Sequence, residues 1–175
     1  MIITALHFKK GYFCIYYGGI LLKYIYLTKD FYEKYENCLE IEKKHNRPYA
    51  MLLLRIDDVN WAIPLRSHIN HKHVVWSDRE NKCGLDLSKA VVIEDEKYIS
   101  SGNPTLRQNE FNELKGKNYI IYNKMKKYIE KYIKAYCNQH IDRNKTLCEY
   151  STLQYFHDYI PSLKESNINE VALTK

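Results

Sequence analysis

One short segment of the chain concentrates side chains that can perform acid–base chemistry. Eight consecutive positions hold six such groups, namely Arg66, Ser67, His68, His71, Lys72 and His73. Histidine titrates near neutral pH and can act as an acid or a base. Arginine and lysine bind phosphate oxygens, and a serine hydroxyl can donate to a non-bridging oxygen. These groups suit RNA cleavage by attack of the neighbouring 2′-hydroxyl, a reaction that requires no metal.

Three alternatives use the same segment. A zinc site could be formed by His68, His71 and His73 with Cys83, although this spacing matches no common helix-borne metal motif. A serine hydrolase could use Ser67, but the Gly-x-Ser-x-Gly turn of many such enzymes is missing. The third alternative is a polar surface loop whose histidines are only solvated.

Other parts of the chain offer further groups for binding RNA. Arg47 could bind a phosphate and Tyr49 could stack on a base, with Asn46 beside them, although the same residues suit a simple turn before a strand. Ser88 and Lys89 are expected near the end of the same sheet. One face of a predicted helix is rich in lysine and could either bind RNA or simply be solvated. Its lysines include Lys124, Lys127 and Lys131.

Apolar runs indicate the strands that must position this segment. Residues 49–56 form a continuous apolar run typical of a buried strand, and 57–60 supply turn residues before a second strand at 61–65. Pro64 cannot donate to a strand ladder, so the second strand lies at an edge or ends near that point. Residues 66–83 are polar and predict a loop. A further strand is expected around 90–93.

The rest of the chain is predicted to be mainly helical. A short strand at 24–28 precedes a helix that begins near Thr28 or Asp30 and has Phe31, Tyr35 and Cys38 on one face. Pro104 is expected in the first turn of a helix over 105–115 that Gly116 ends. Apolar residues at helical spacing predict a longer helix over 119–136, and 150–159 predicts a third. Strands followed by helices imply an α+β fold.

Composition permits an anionic partner without demanding one. The 175 residues include 27 basic and 21 acidic side chains, with a pI near 8.9, and they include 17 tyrosines that can stack on bases or fill the core. The five cysteines are widely spaced without a CxxC pair, which favours a reducing cytoplasm. The apolar residues 12–22 are too short to span a bilayer and precede no cleavage site, so we expect no membrane association.

Several segments in order resemble the ToxN/AbiQ superfamily of type III toxin–antitoxin toxins, and the CptN and TenpN branches are the most similar. The segments are 46–54 (NRPYAMLLL), 62–73 (AIPLRSHINHKH), 83–92 (CGLDLSKAVV), 108–116 (QNEFNELKG) and 151–157 (STLQYFH). The resemblance extends over residues 23–160, which we expect to form a single toxin domain. It makes 1–22 an N-terminal extension, with 161–175 as a C-terminal tail.

The resemblance implies both a fold and an activity. The expected fold is a strongly twisted antiparallel sheet flanked by helices, similar to the Kid and MazF toxins. The expected activity is cofactor-free endoribonuclease cleavage that leaves a 2′,3′-cyclic phosphate and a 5′-hydroxyl. The implied substrates are cellular or phage mRNA and the repeats of a small structured antitoxin RNA. That RNA inhibits the toxin in a closed ring-like assembly, in the cytoplasm, for plasmid maintenance or abortive phage defence.

Only some of the family's site residues are matched in this sequence. Ser67 matches the serine of a Thr-Ser pair in ToxN-type members, whereas Arg66 stands in place of the threonine. The family lysine two positions later is Ile69 here, and His68, His71 or Lys72 supply the charge. Another family lysine aligns with Tyr49, for which Arg47 or Lys44 could substitute. An RNA-binding protein without catalysis is the main alternative to a nuclease.

Overall fold

Seven antiparallel strands form the sheet within the part of the chain that the structure describes. The computed structural model describes residues 15–17, 20–42 and 50–164. The strands are β1 (Ile15–Tyr17), β2 (Ile20–Ile25), β3 (Met51–Ile56), β4 (Val59–Arg66), β5 (Val74–Asp78), β6 (Cys83–Asp86) and β7 (Val91–Val92). Their order in space is β1-β2-β3-β4-β6-β5, and β7 pairs with β4. The expected antiparallel sheet is therefore confirmed.

Helices accompany this sheet, so the α+β class is confirmed as well. They are α1 (Lys29–Lys34), α2 (Gln108–Leu114), α3 (Asn118–Tyr136) and α4 (Asp142–Tyr150), and short 3₁₀ turns cover Leu87–Lys89, Glu96–Tyr98, Thr152–Tyr155 and His157–Tyr159. Thr28 occupies the N-cap position of α1, as predicted. No described helix combines the length and the apolar character needed to cross a bilayer.

The hairpin of β3 and β4 is the part that the sequence predicts best. Asp57 and Asp58 form its two-residue turn, and both have positive φ, at 47° and 63°. Such turns match the twist of antiparallel strands, and aspartate tolerates this backbone region better than most residues. The pairing runs from Ile56 opposite Val59 to Met51 opposite Pro64.

Pro64 lies inside the sheet and not at an edge. On one side it is opposite Met51 of β3. On the other side, β7 pairs with β4 up to Ala62, and β6 pairs with it from Leu65. The proline therefore occupies the place where β4 changes partner and where no ladder hydrogen bond is needed. The strand ends two residues later, at Arg66, which agrees with the prediction that it ends near the proline.

The loop expected over residues 66–83 is wrong in its second half, because β5 lies there. Val74, Val75 and Trp76 are the β-branched and aromatic residues that favour a strand, but they stand among polar neighbours. Irregular backbone is confined to 67–73 and to the turn before β6. The segment that carries the histidines is thus a short loop between two paired strands.

One predicted helix begins later than expected, and another is absent. Helix α2 begins at Gln108, so Pro104 lies outside it. The helix expected over 150–159 is absent there, because α4 ends at Tyr150 and 3₁₀ turns follow. Ser151 accepts a hydrogen bond from the backbone N–H of Leu153 and donates towards Ser88 O, and such side-chain bonds compete with a continuing helix.

Helix α3 packs its predicted apolar face on the core. Ile121, Met125, Tyr128 and Tyr132 are buried, as the helical spacing predicts, but Ile120 is about half exposed. Gly116 adopts a φ of +79° just before α3, as expected of a residue that ends the preceding helix. Because α3 is held by this buried face, its lysines are presented at fixed positions.

The structure describes parts of both segments that were expected to lie outside the toxin domain, residues 1–22 and 161–175. Strand β1 and the first half of β2 fall within the possible extension 1–22, with Ile15 opposite Leu22. Residues 1–14 lie outside the described residues. At the other end, 161–164 are helical and Leu163 is buried in the core, and 165–175 lie outside the described residues.

Candidate functional site

A groove of about 710 Å³ lies between the histidine loop, the turn after β6, and helices α3 and α4. Its lining residues are Arg66, His71, Lys72, His73, Ser88, Lys89, Tyr128, Lys131, Arg143, Asn144, Thr146, Leu147 and Tyr150. Five of these side chains are cationic and none is a carboxylate. The volume falls within the range of small-molecule binding sites, which is roughly 300–1,000 Å³.

Asp86 lies beneath the groove and organises its floor. The residue has no exposed surface, and its Oδ2 accepts a hydrogen bond from Arg66 Nη1 at 2.6 Å. Its Oδ1 accepts from the backbone N–H of Ser88 at 3.0 Å and from Ser88 Oγ at 2.6 Å. Burial opposes ionisation, but hydrogen bonds from His71, Ser88 and Arg66 outweigh it and lower the pKa of Asp86. Asp86 is therefore an ionised anchor.

Local structure fixes both partners of this ion pair. Arg66 ends β4 and is opposite Gly84 of β6, two residues before Asp86. Asp86 ends β6 and caps the following 3₁₀ turn by accepting the N–H of Ser88. The pair is thus set by strand register, and it holds the guanidinium at the groove with 28% of its side chain exposed.

His71 is oriented through both of its ring nitrogens. Nε2 lies 3.3 Å from Asp86 Oδ1 and 3.3 Å from Ser88 Oγ. The backbone N–H of His73 points at Nδ1 from 3.3 Å. In the neutral ring, Nδ1 therefore carries the lone pair and Nε2 carries the proton. The side chain is 38% exposed, so a substrate can reach it.

His73 is a different kind of histidine. Burial is the main reason why the pKa of His73 is lowered to about 4, and the nearby charges of Lys131 and Lys72 contribute to the same shift. Lys131 Nζ lies 3.2 Å from His73 Nε2 and donates to it, because a lysine ammonium can only donate. The ring also packs on Tyr128, with centroids 4.9 Å apart. His73 is therefore a neutral acceptor that holds Lys131.

Positive charge is crowded on one side of the groove. Burial lowers the pKa of Lys131, and the cations of Lys72 and Arg143 lower it further. Within residues 23–42 and 50–164, no carboxylate forms an ion pair with any of these three side chains. Lys89 differs, because it pairs with Glu40. The crowding is unfavourable in the free protein, and a bound anion relieves it.

Half of the residues singled out in the sequence meet in this groove. Those that line it are Arg66, His71, Lys72, His73, Ser88, Lys89 and Lys131. Ser67 and His68 do not line it and are exposed. They bond to each other, with Ser67 Oγ 3.1 Å from His68 Nδ1. Lys124 donates to Val74 O at 3.3 Å and Lys127 is exposed, and neither lines the groove. Asn46, Arg47 and Tyr49, with Lys44, lie outside the described residues.

The three histidines proposed as zinc ligands each contact a different partner. His68 contacts Ser67, His71 contacts Asp86, and His73 accepts from Lys131. Within the described ranges, no group of three or more histidine, cysteine or acidic side chains is arranged to hold a metal ion. The geometry therefore gives no support to the zinc alternative.

Sequence reasoning missed the buried carboxylate and the far wall of the groove. Asp86 stands between Leu85 and Leu87, and an acidic residue inside an apolar run is a signal of a paired, buried charge. Arg143 and Tyr150 lie on α4, which the sequence did not predict, so nothing in their local pattern indicated a site. Comparisons of the chain with protein-family models, with curated proteins and with solved structures found no match.

Proposed function

We propose that this chain is a metal-independent endoribonuclease, the toxin of a type III toxin–antitoxin system, and that it cuts RNA in the groove above Asp86. One observation carries the proposal. A reachable histidine bound to a buried carboxylate faces a wall of cations, Lys72, Lys131 and Arg143, that no described carboxylate pairs with. A phosphodiester supplies the missing negative charge, and the histidine supplies the proton transfer that its cleavage needs.

His71 is the proposed general base. The substrate 2′-hydroxyl displaces the backbone N–H of His73, which lies 3.3 Å from Nδ1, and gives its proton to the Nδ1 lone pair. The 2′-oxygen then attacks the phosphorus, and Asp86 stabilises the imidazolium that forms. Asp86 is a positioning residue in this scheme, because it acts only through His71 and Arg66.

Lys131 is the proposed general acid. As the bond from phosphorus to the 5′-oxygen breaks, the Lys131 ammonium gives a proton to the leaving oxygen, which yields a 5′-hydroxyl and a 2′,3′-cyclic phosphate. The lowered pKa of Lys131 makes this transfer easier than from an ordinary lysine. Arg66, Lys72 and Arg143 neutralise the charge that grows on the non-bridging oxygens.

The wider identity rests on the resemblance described above. We propose a twisted Kid- or MazF-like core, cytoplasmic action on cellular or phage mRNA, and inhibition by a repeat antitoxin RNA that the toxin processes and that closes with it into a ring-like assembly. The groove supports this proposal because its lysines and arginines suit any RNA that presents phosphates in sequence.

The test compares two histidines of the same loop. Purified protein is incubated with single-stranded RNA and EDTA, and the new ends are analysed for cyclic phosphate. His71→Ala is expected to slow cleavage at least 100-fold, because general base catalysis contributes about that much or more. His68→Ala and Ser67→Ala are expected to stay within about threefold of the unaltered protein. Full activity of His71→Ala, with loss in the Ser67 and His68 variants, would move the site to the exposed pair.

RNA binding without catalysis is the second candidate. The cations around Lys131 explain RNA affinity without using His71 at all. In that case the protein binds RNA with a strong salt dependence, because bound phosphates release counterions, yet no cyclic-phosphate ends accumulate. The absence of such ends after prolonged incubation at high enzyme concentration would favour this candidate over the nuclease.

A further inference from the structure

Helix α4 presents a large exposed aromatic side chain to the groove. Tyr150 lies at the end of α4, lines the groove and is 64% exposed, beside Leu147. Phosphate chemistry does not require either residue. An exposed aromatic ring next to crowded cations is the arrangement by which proteins bind single-stranded nucleic acid, with stacking for the base and positive charge for the backbone.

The backbone at Tyr150 is fixed in place although the ring is exposed. Lys89 Nζ donates to the Tyr150 carbonyl oxygen at 2.8 Å, and Glu40 holds the same ammonium. The next two residues are buried, and their hydroxyls donate to Ser88 O, from Ser151 Oγ at 3.4 Å and from Thr152 Oγ1 at 3.2 Å. The end of α4 is therefore tied to the groove floor. Because the backbone at Tyr150 is held, stacking of a ligand on the ring costs only side-chain rotation and no ordering of the chain.

We infer that Tyr150 is the stacking platform for an unpaired base of the RNA, next to the phosphate that Lys131 and Arg143 bind. The inference rests on the proposed function and adds the class of substrate. A base inside a duplex already has both faces covered by its neighbours, so this platform selects RNA that is single-stranded at that nucleotide. Selection by stacking tolerates different bases, because each has a flat face.

The test measures the affinity for a fluorescently labelled single-stranded RNA with 2′-O-methyl groups throughout, which cannot be cleaved by this route. Tyr150→Ala is expected to weaken binding about tenfold, as loss of one stacked base does. Tyr150→Phe, which keeps the ring, is expected to stay within about twofold. Tyr119→Ala is the matched control, because Tyr119 is 71% exposed on α3 and does not line the groove. A duplex of the same sequence is expected to show no effect of Tyr150→Ala.

The outcomes separate this inference from the nuclease itself. Equal affinity of Tyr150→Ala and the unaltered protein, while unmodified RNA is still cleaved, overturns the platform and leaves the proposed function standing. An equal loss in Tyr119→Ala, or an equal loss on duplex RNA, overturns the platform too. Failure of the unaltered protein to bind or cleave any RNA overturns both. The unfolding midpoint of each variant in urea shows that it is folded.

Discussion

Asp86 Oδ2 and Arg66 Nη1 meet at 2.6 Å across the ends of two neighbouring strands, and the carboxylate has no exposed surface. A charge at such depth is tolerated only when its partners replace the water that it loses. Arg66, His71 and Ser88 all contribute to that replacement. The buried charge of Asp86 is therefore stable only because Arg66, His71 and Ser88 surround it, and their positions depend on that charge in turn.

Replacing Asp86 by asparagine keeps the shape and removes the charge, so it tests that dependence. Asp86→Asn is expected to lower the free energy of unfolding in urea by about 3 kcal/mol, because Arg66 loses its buried partner. Asp58→Asn is the matched control. It removes the carboxylate of the exposed Arg55–Asp58 pair, and its effect is expected to stay within about 0.5 kcal/mol. A loss below 1 kcal/mol in Asp86→Asn would contradict the account.

Gly84 allows strands β5 and β6 to approach each other. A Cβ at this position would lie 2.5 Å from the backbone oxygen of Val75 and 2.9 Å from Val74 Cγ2. Because a backbone atom cannot move aside easily, Gly84→Ala is expected to cost about 2–3 kcal/mol of unfolding free energy.

Gly102→Ala serves as the control for this change. The added methyl would meet its nearest atoms at 3.6 and 3.7 Å, which are ordinary contacts, so the stability should change by less than about 1 kcal/mol. Chemical denaturation of both variants provides the comparison, and equal stabilities of the two would contradict the close approach.

The stability of the protein is expected to depend on pH through His73. The pKa of this histidine falls from 6.5 to about 4 on folding. As the pH decreases from 6.5 to 4, the unfolded chain takes up a proton that the folded chain does not, so stability is present above 6.5 and is lost over this window. The loss is about 1–3 kcal/mol after allowance for solvent screening.

Denaturant titrations at several pH values measure this loss directly. His73→Gln removes this titrating group and is expected to reduce the dependence between pH 6.5 and 4, while His157, whose pKa burial also lowers, keeps its own contribution. His140→Gln, at an exposed position, is the matched control and should keep the slope of the unaltered protein. Identical slopes in all three proteins would show that His73 is not the group responsible.

The hydroxyls of Tyr128 and Ser151 are expected to make a coupled contribution to the free energy of unfolding. Tyr128 donates to Ser151 Oγ at 2.9 Å in a buried setting. Tyr128→Phe and Ser151→Ala should each cost about 1–2 kcal/mol, since each leaves a buried partner unsatisfied. The double variant should cost about 1 kcal/mol less than the sum, as measured by a double-mutant cycle in urea. Strict additivity would mean that the two hydroxyls do not interact.

Local patterns predicted the parts of the fold that local chemistry decides. The Asp57–Asp58 turn, the apolar face of α3 and the density of cations and histidines after β4 are all visible in short windows of sequence. Strand β5 was missed because its three favourable residues are too few to stand out among polar neighbours. Helix α4 was missed because its exposed residues leave only a weak apolar period.

The site could be predicted only where its residues are close in sequence. Arg66, His71 and His73 fall within eight positions, so their types alone indicated acid–base chemistry. Asp86 and Lys131 join them through strand register and helix packing, which no single window of sequence contains. The same reason explains why Ser67, adjacent to Arg66, could be taken for a groove residue although its side chain bonds to His68 instead.

The change of partner at Pro64 has a mechanical consequence for the groove. Among the described residues, backbone pairing joins β5 and β6 to the rest of the sheet only at Leu65–Leu85 and Arg66–Gly84, and no pair is formed at the proline. A hairpin attached by so few bonds can open locally at a lower free energy than the whole domain. Once the Asp86–Arg66 bond is lost, the end of β6 that carries Asp86 is therefore expected to open at a lower free energy than β2, β3 and the first half of β4.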